Sequence, residues 1–405
     1  MKIAFLTDGK FPVPATKGGA VENLIEDLLN ENEKEHHMDF SVLSVYEEQA
    51  YIKSNKYKWS DFYFVKCPKI VSWLDKCTYW IAKRVLHRKN LISYRYIFQR
   101  IFVMSKYPAI LKKHDFDRIV LVTNSTLFLV LKNKKLAKKY ENKVIYYLHN
   151  EVRSIFKCEK EVASIHSLIG VSKFVNNSFK SLMPNLNDNQ CFVLKNGIDT
   201  NRFFSKDERK INVFRAKFGL KQSDFVVIFA GRLVDEKGAL ETIKAIKKCN
   251  DKDIKLLIVG GGFYSSDIVD DYMIALRNEA NGIEDRIIFT GYIDYDDMPI
   301  IYHLGNVAVL PSMWDEPAGM TMVEAVISGL PLITTYSGGI PEYIPDKLAF
   351  ILYRDNKLID KIAELIIKLK NKEIALSTES SCLNSLINEL NLESYYKRFC
   401  ELCTK

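Results

Sequence analysis

Two carboxylates eight residues apart, Glu316 and Glu324, stand in the run Trp314-Asp-Glu-Pro-Ala-Gly-Met-Thr-Met-Val-Glu324, directly after an apolar segment ending at Leu310-Pro311. Pro317 is tolerated only at or before the first turn of a helix, and Gly319 lets a backbone approach a ligand closely, so the spacing predicts a helix starting around 318–321. The amides of its first turn point outward and attract an anion, a phosphate in particular. Gly319, Met320 and Thr321 are therefore candidate phosphate contacts. Glu316, in the loop just before, can accept hydrogen bonds from sugar hydroxyls. Glu324, about two turns in, suits the paired hydroxyls of a ribose. A surface carboxylate and a helix salt-bridge partner explain the same pair equally well.

A second constellation, Ala230-Gly-Arg-Leu-Val-Asp-Glu-Lys-Gly238, also follows an apolar strand and projects two cations, Arg232 and Lys237. The planar guanidinium bridges two phosphate oxygens, and the ammonium acts as a point charge. Together they suit a departing diphosphate. Both residues lie outside the predicted core, so replacing either by alanine is expected to lower turnover and leave the fold intact. Weaker signals sit at other strand ends. Gly18-Gly19 follows the first strand and a Pro-rich loop, and His149 closes an apolar run in His149-Asn-Glu, where an imidazole can meet a sugar or its acceptor. Asn150, Ser172, Gly262 and Tyr292 lie in similar loops. Asp294-Tyr-Asp296 spells a D-x-D string that can hold a divalent cation, but it precedes a helical pattern, and capping of that helix accounts for both aspartates. With two cations available for a diphosphate, no metal or other cofactor is expected.

These groups need a scaffold that delivers loops at strand ends. Apolar runs of strand length recur at 3–7, 40–45, 118–123, 144–149, 167–171 and 191–194, and again at 225–230, 255–259, 286–290, 307–310, 332–335 and 349–352, with helical spacing between them. Strands buried on both faces and separated by helices imply a parallel doubly wound α/β sheet, here formed twice. A chain of 405 residues suits two such domains of roughly 200 residues each. The expected boundaries are 1–200, 201–385 and a terminal helical segment 386–405. Ligands bind beyond the carboxyl ends of such strands, and two such edges imply a cleft.

Composition narrows the class further. A hydrophobic fraction of 47% and a charged fraction of 27% are those of a folded globular chain. The eight cysteines are scattered, and the opening Met-Lys-Ile-Ala-Phe lacks the apolar core of a signal peptide, so a reducing cytoplasm is expected. Cys400 and Cys403 read as chance helix positions rather than a metal or redox pair. The net charge of +8 is concentrated between 53 and 113, where Lys and Arg alternate with Trp, Tyr, Phe and Ile. This pattern suits a basic amphipathic helix on the anionic inner face of a membrane, or a helical face packed on the sheet with a solvated basic rim. Nucleic acid is not expected, because no recognition motif accompanies the charge.

Taken in order, Lys17-Gly-Gly, His149-Asn, Gly170-Val-Ser-Lys, Asn196-Gly-Ile-Asp, Gly231-Arg-Leu with Glu236-Lys-Gly, Gly291-Tyr, the E-x7-E pair Glu316 and Glu324, and Gly338-Gly-Ile-Pro-Glu resemble the family 4 retaining glycosyltransferases of the GT-B superfamily, the glycosyl transferases of group 1, across nearly the whole chain. The resemblance implies two Rossmann-like domains facing across a deep cleft, an N-terminal one for the acceptor and a C-terminal one for the nucleotide-sugar. It also implies a last helix returning to the N-terminal domain. By the same resemblance Arg232 and Lys237 bind the donor diphosphate, Glu316 the sugar, Glu324 the ribose, His149 the sugar near the scissile bond and Gly19 the donor. Gly18, Asn150 and Ser172 fall to the acceptor, and Gly262, Tyr292, Gly319, Met320 and Thr321 to the donor. The reaction implied is metal-independent, retaining transfer of a hexosyl group from a nucleotide-sugar, a UDP-sugar, to a lipid-linked or oligosaccharide acceptor in cell-surface polysaccharide assembly of capsule, lipopolysaccharide or teichoic-acid type. A nucleotide-sugar epimerase and a non-catalytic nucleotide-sugar binder are the alternatives. Where many relatives have Phe-Gly after the first Glu-Pro, this chain has Ala318-Gly319, so its sugar-facing surface differs.

Overall fold

The computed structural model describes residues 1–86, 94–261, 271–376 and 380–405. The chain divides into two compact units, Met1–Gly197 together with Leu392–Lys405, and Ile198–Asn391.

In the first unit seven strands form one sheet: β1 (Lys2–Leu6), β2 (Asp39–Val45), β3 (Ser60–Val65), β4 (Arg118–Val122), β5 (Val144–Leu148), β6 (Ser167–Gly170) and β7 (Cys191–Val193), in the order β3-β2-β1-β4-β5-β6-β7. Every pairing is parallel. The chain winds outward from β1 to one edge and then from β4 to the other, which leaves a topological switch between β1 and β4. The inner strands carry Val, Ile, Leu and aromatic residues almost without interruption because helices cover both faces. The helix Ala20–Glu35 supplies Leu24, Ile25, Leu28 and Leu29 to this core at helical spacing.

The terminal helix Leu392–Thr404 packs in this unit. The Phe399 ring stacks on Phe5 at 5.5 Å, the Tyr396 hydroxyl donates to Asn32 Oδ1 at 2.5 Å, and the Tyr395 and Tyr147 hydroxyls meet at 2.8 Å. Cys400 and Cys403 are buried in the same helix, and all eight cysteines are free thiols.

The second unit repeats the plan with β8 (Phe225–Ala230), β9 (Ile254–Val259), β10 (Ile287–Gly291), β11 (Val307–Leu310), β12 (Leu332–Thr335) and β13 (Ala349–Leu352), in the all-parallel order β10-β9-β8-β11-β12-β13. Its switch lies between β8 and β11.

The sequence reading missed one strand. β3 lies at the sheet edge inside the basic aromatic stretch, its residues are mostly half-buried rather than buried, and its apolar part, residues 62–65, is only four residues long and does not stand out from the aromatic residues around it. The remainder of that stretch forms two helices, Lys69–Arg84 and Ile97–Lys113. Residues 87–93, which include the end of the Trp80–Asn90 run, lie outside the described residues. No helix among the described residues is long and apolar enough to cross a membrane.

Candidate active site

In an open parallel sheet the loops leaving the two strands at the switch form the ligand-binding crevice. In the second unit those loops are 231–238 after β8 and 311–319 after β11, and their backbones are stitched together. The Met313 amide donates to the Glu236 carbonyl at 2.8 Å, and Ser312 Oγ lies 3.3 Å from the same carbonyl. Gly238 makes the approach possible: a Cβ there would stand 2.1 Å from the Pro311 carbonyl oxygen. Arg232 is exposed on the first loop, and Lys237 ends the short turn Asp235–Lys237.

This stitching brings Lys237 and Glu316 together. Lys237 Nζ lies 2.5 Å from Glu316 Oε1, and Ser312 Oγ donates to the same oxygen at 3.0 Å. The ammonium also lies 5.7 Å from the centre of the Trp314 ring, whose indole N–H has no acceptor among the described residues. Glu316 is 5% exposed and the Lys237 side chain 21%. The expectation that Lys237→Ala leaves the fold intact therefore needs correction, because the substitution strands a buried carboxylate.

Glu316 is held from behind by the loop after β12. The Gly339 amide donates to the Glu316 carbonyl at 2.7 Å, and a Cβ on Gly338 would stand 2.3 Å from that same oxygen. The glycines of Gly338-Gly-Ile-Pro-Glu thus serve a contact within the protein. Gly319 then caps the helix Met320–Ile327, with Met320 and Thr321 half-buried in its first turn. The N–H groups of such a turn lack intrahelical acceptors.

Glu324, one turn further, is buried. Its Oε2 accepts from the Tyr302 hydroxyl at 2.9 Å and its Oε1 from the Tyr295 hydroxyl at 3.2 Å. Burial raises its pKa to about 7, against the pull of the two tyrosines and the charge of Arg202. In turn, burial and the Glu324 carboxylate hold the Tyr302 phenol well above its usual range.

The two aspartates of the D-x-D string do not cap a helix. Neither Asp294, which precedes the short turn Tyr295–Asp297, nor Asp297, which precedes the helix Met298–Leu304, makes a side-chain cap, and Asp296 instead pairs with Arg202 at 2.5 Å. The Arg202 guanidinium also lies 4.7 Å from the Tyr295 ring centre. Among the described residues no group of three potential ligands is placed to hold a metal ion. Tyr292 is exposed beyond β10, and Gly262 lies outside the described residues.

In the first unit the switch loops follow β1 and β4. Gly18 and Gly19 precede the helix Ala20–Glu35, and the Glu22 carboxyl lies over Gly19. Burial raises the Glu22 pKa to about 7; its own backbone N–H opposes this, Asp8 adds to it and Lys10 opposes it. Asp8 is paired with Arg100 at 3.3 Å. After β4, Thr123 adopts φ 62°, a left-handed conformation costly for a β-branched residue. Its hydroxyl lies 2.9 Å from His149 Nδ1, its amide donates to the Tyr147 carbonyl and its carbonyl accepts from the Tyr146 hydroxyl. His149 is 5% exposed, burial lowers its pKa to about 3, and Nε2 has no partner among the described residues. The ring is neutral at physiological pH. Asn150 beside it is exposed, whereas Ser172 is fully buried with its hydroxyl accepting from the Val175 amide, a helix cap.

Sequence reasoning did not single out Ser312, Trp314, Tyr295, Tyr302, Glu22 or Thr123. Tyr302 and Thr123 lie within helical and strand patterns that explain them fully as core, so no local string sets them apart.

Residues 210–381, which carry both switch loops of the second unit, match the family model described as Glycosyl transferases group 1. Over this segment the chain is similar to the group 1 glycosyl transferases. Glycosyl transfer is the general activity to which this match points for the site just described. Similarity extends beyond the matched domain. The chain is 28% identical to the putative glycosyltransferase YtcC of Bacillus subtilis over 85% of its own length and 77% of that protein's. It is 24% identical to the spore coat protein SA of Bacillus subtilis over 92% of each. Among solved structures, Anabaena HepE in complex with UDP and glucose superposes with a TM-score of 0.71 at 17% identity, over 100% of this chain and 99% of that one. That likeness shows the GT-B fold.

Proposed function

We propose that the chain is a retaining, metal-independent hexosyltransferase of the family 4 type. It would move a sugar from a UDP-sugar to a lipid-linked or oligosaccharide acceptor in cell-surface polysaccharide assembly. The observation that carries this reading is the arrangement at the β8/β11 switch: Arg232, the Lys237–Glu316 pair and a helix N-terminus at Met320–Thr321 on two stitched loops. An ammonium has three donors, so Lys237 can keep Glu316 and still offer N–H groups to a phosphate. Glu316 is thereby fixed to accept from sugar hydroxyls beside the phosphate that departs. Arg232 and Lys237 stabilise the charge growing on the leaving diphosphate, which is the service a divalent cation performs elsewhere. In front-side transfer the acceptor hydroxyl bonds to the anomeric carbon as the bond to phosphate breaks, and the leaving phosphate oxygen takes the hydroxyl proton. The binding of UDP and glucose by the HepE structure supports the choice of donor.

Glu324 enters on different terms. Both of its oxygens are engaged by tyrosines, so a ribose that uses it must share or displace the Tyr295 hydroxyl. In the first unit we assign His149 Nε2 to a sugar hydroxyl and Gly18 and Asn150 to the acceptor side, while the capping role of Ser172 explains that residue without a ligand. The test is a screen of UDP-sugars with and without candidate acceptors, following UDP release and reading the product's anomeric configuration by NMR. An acceptor-dependent product with retained configuration supports the reading. An inverted product, or an epimerised UDP-sugar formed without acceptor, would contradict it.

A further inference from the structure

The helix Lys69–Arg84 turns an apolar face to solvent. Ile70, Trp73 and Trp80 are 65%, 60% and 59% exposed, and Ile81 is exposed beside them. At about 100° per residue these side chains share one arc of the helix. Lys69, Lys76 and Lys83 fall together on its flank, and Arg84 falls within the apolar arc itself. The opposite arc carries Val71, Asp75 and Ala82, all buried. Asp75 is the one acid of this helix, and its carboxylate is turned inward, accepting from the Phe98 and Gln99 amides at 2.9 and 3.0 Å. The outward side of the helix therefore carries aromatic and aliphatic groups, cations and no anion. Val85 and Leu86, which follow it, are exposed as well.

Leaving two indoles and two isoleucines in water on one arc forfeits their burial, and single scattered apolar residues are the usual surface pattern. From this arc and its lysine row we infer that the helix Lys69–Arg84 docks flat on an anionic lipid surface. The indoles would enter the headgroup boundary, and the lysine row would contact lipid phosphates. Charge complementarity selects this occupant. A second copy would bring the same lysine row against itself, like charge against like. The mode is interfacial, since no helix among the described residues is long and apolar enough to span. The inference deepens the lipid-acceptor reading by naming the surface that brings the enzyme to such an acceptor. Vesicle binding nevertheless needs neither donor nor acceptor, so failure of either idea is visible without the other.

The experiment is flotation with vesicles of equal parts phosphatidylglycerol and phosphatidylcholine, against vesicles of phosphatidylcholine alone, at low salt. Tryptophan emission is read in parallel. The wild type is expected to float with the anionic vesicles only, with a blue shift. Trp73→Ser with Trp80→Ser should abolish the shift and weaken flotation. Lys69→Gln, Lys76→Gln and Lys83→Gln combined should lower the partition constant about a hundredfold, roughly fivefold per charge. All these side chains are exposed or half-buried, and circular dichroism melts check that the variants fold. UDP release without acceptor should match the wild type in each variant. No flotation of the wild type, equal flotation of wild type and both variants, equal affinity for neutral vesicles, or concentration-dependent dimerisation abolished by the tryptophan substitutions would each overturn the inference.

Discussion

Replacing Lys237 by alanine should weaken both the fold and the chemistry, and a second substitution should separate the two effects. Lys237 Nζ stands 2.5 Å from a carboxylate that is only 5% exposed. Removing one partner of a buried pair costs about 3–5 kcal/mol, because the other charge is left without compensation. Here the lysine side chain keeps 21% of its exposure, and Ser312 still donates to Glu316, so the stability loss should fall at about 2–3 kcal/mol. The catalytic loss is a separate term: withdrawing a fixed cation from a developing phosphate charge costs about a hundredfold to a thousandfold in kcat. Adding Glu316→Gln to Lys237→Ala removes the stranded charge. The double variant should regain most of the stability and none of the turnover. Urea unfolding gives the first quantity and UDP release the second. A Lys237→Ala protein that unfolds at the wild-type urea concentration would refute the pairing argument, and a double variant that regains turnover would refute the role assigned to the cation.

Arg232→Ala removes an exposed cation, so turnover should fall about a hundredfold while the urea midpoint stays at the wild-type value. Glu324→Gln should stabilise the protein by up to about 3 kcal/mol at pH 8. The folded pKa of Glu324, about 7, lies above its unfolded 4.5, so the wild type loses this contribution as pH rises from 4.5 through 7. Unfolding at pH 8 and pH 4 should show the gap between variant and wild type closing at the lower pH, and a gap independent of pH would contradict the burial argument. Thr123→Val deprives His149 Nδ1 of its hydroxyl partner and should lower kcat about tenfold, whereas Thr123→Ser should keep it. Equal turnover in the two variants would show that the hydroxyl does not position the ring.

The two doubly wound sheets were legible because their inner strands are buried on both faces and so read as unbroken apolar runs. β3 was not, since it is a half-buried edge strand whose short apolar part, residues 62–65, merges with the aromatic residues of the basic stretch around it. The loops of the second site were legible because they follow such strands. What they do to one another was not: the Lys237–Glu316 pair joins residues far apart in sequence through contacts at Gly238 and Gly338 that no local string encodes. Helix geometry placed Glu324 on a predicted helix, but the tyrosines that occupy it come from another loop and another helix. The basic stretch shows the same limit, because charge and aromatic content marked it while only the fold shows which helix face stays in water.

The most direct test of the central claim, that Arg232 and Lys237 hold a donor diphosphate without a metal, is calorimetric titration of UDP into the protein in EDTA. Wild type is expected to bind, and Arg232→Ala, whose fold should be undisturbed, to bind at least tenfold more weakly. UDP binding that needs added Mg²⁺, or that is unchanged in Arg232→Ala, would contradict it.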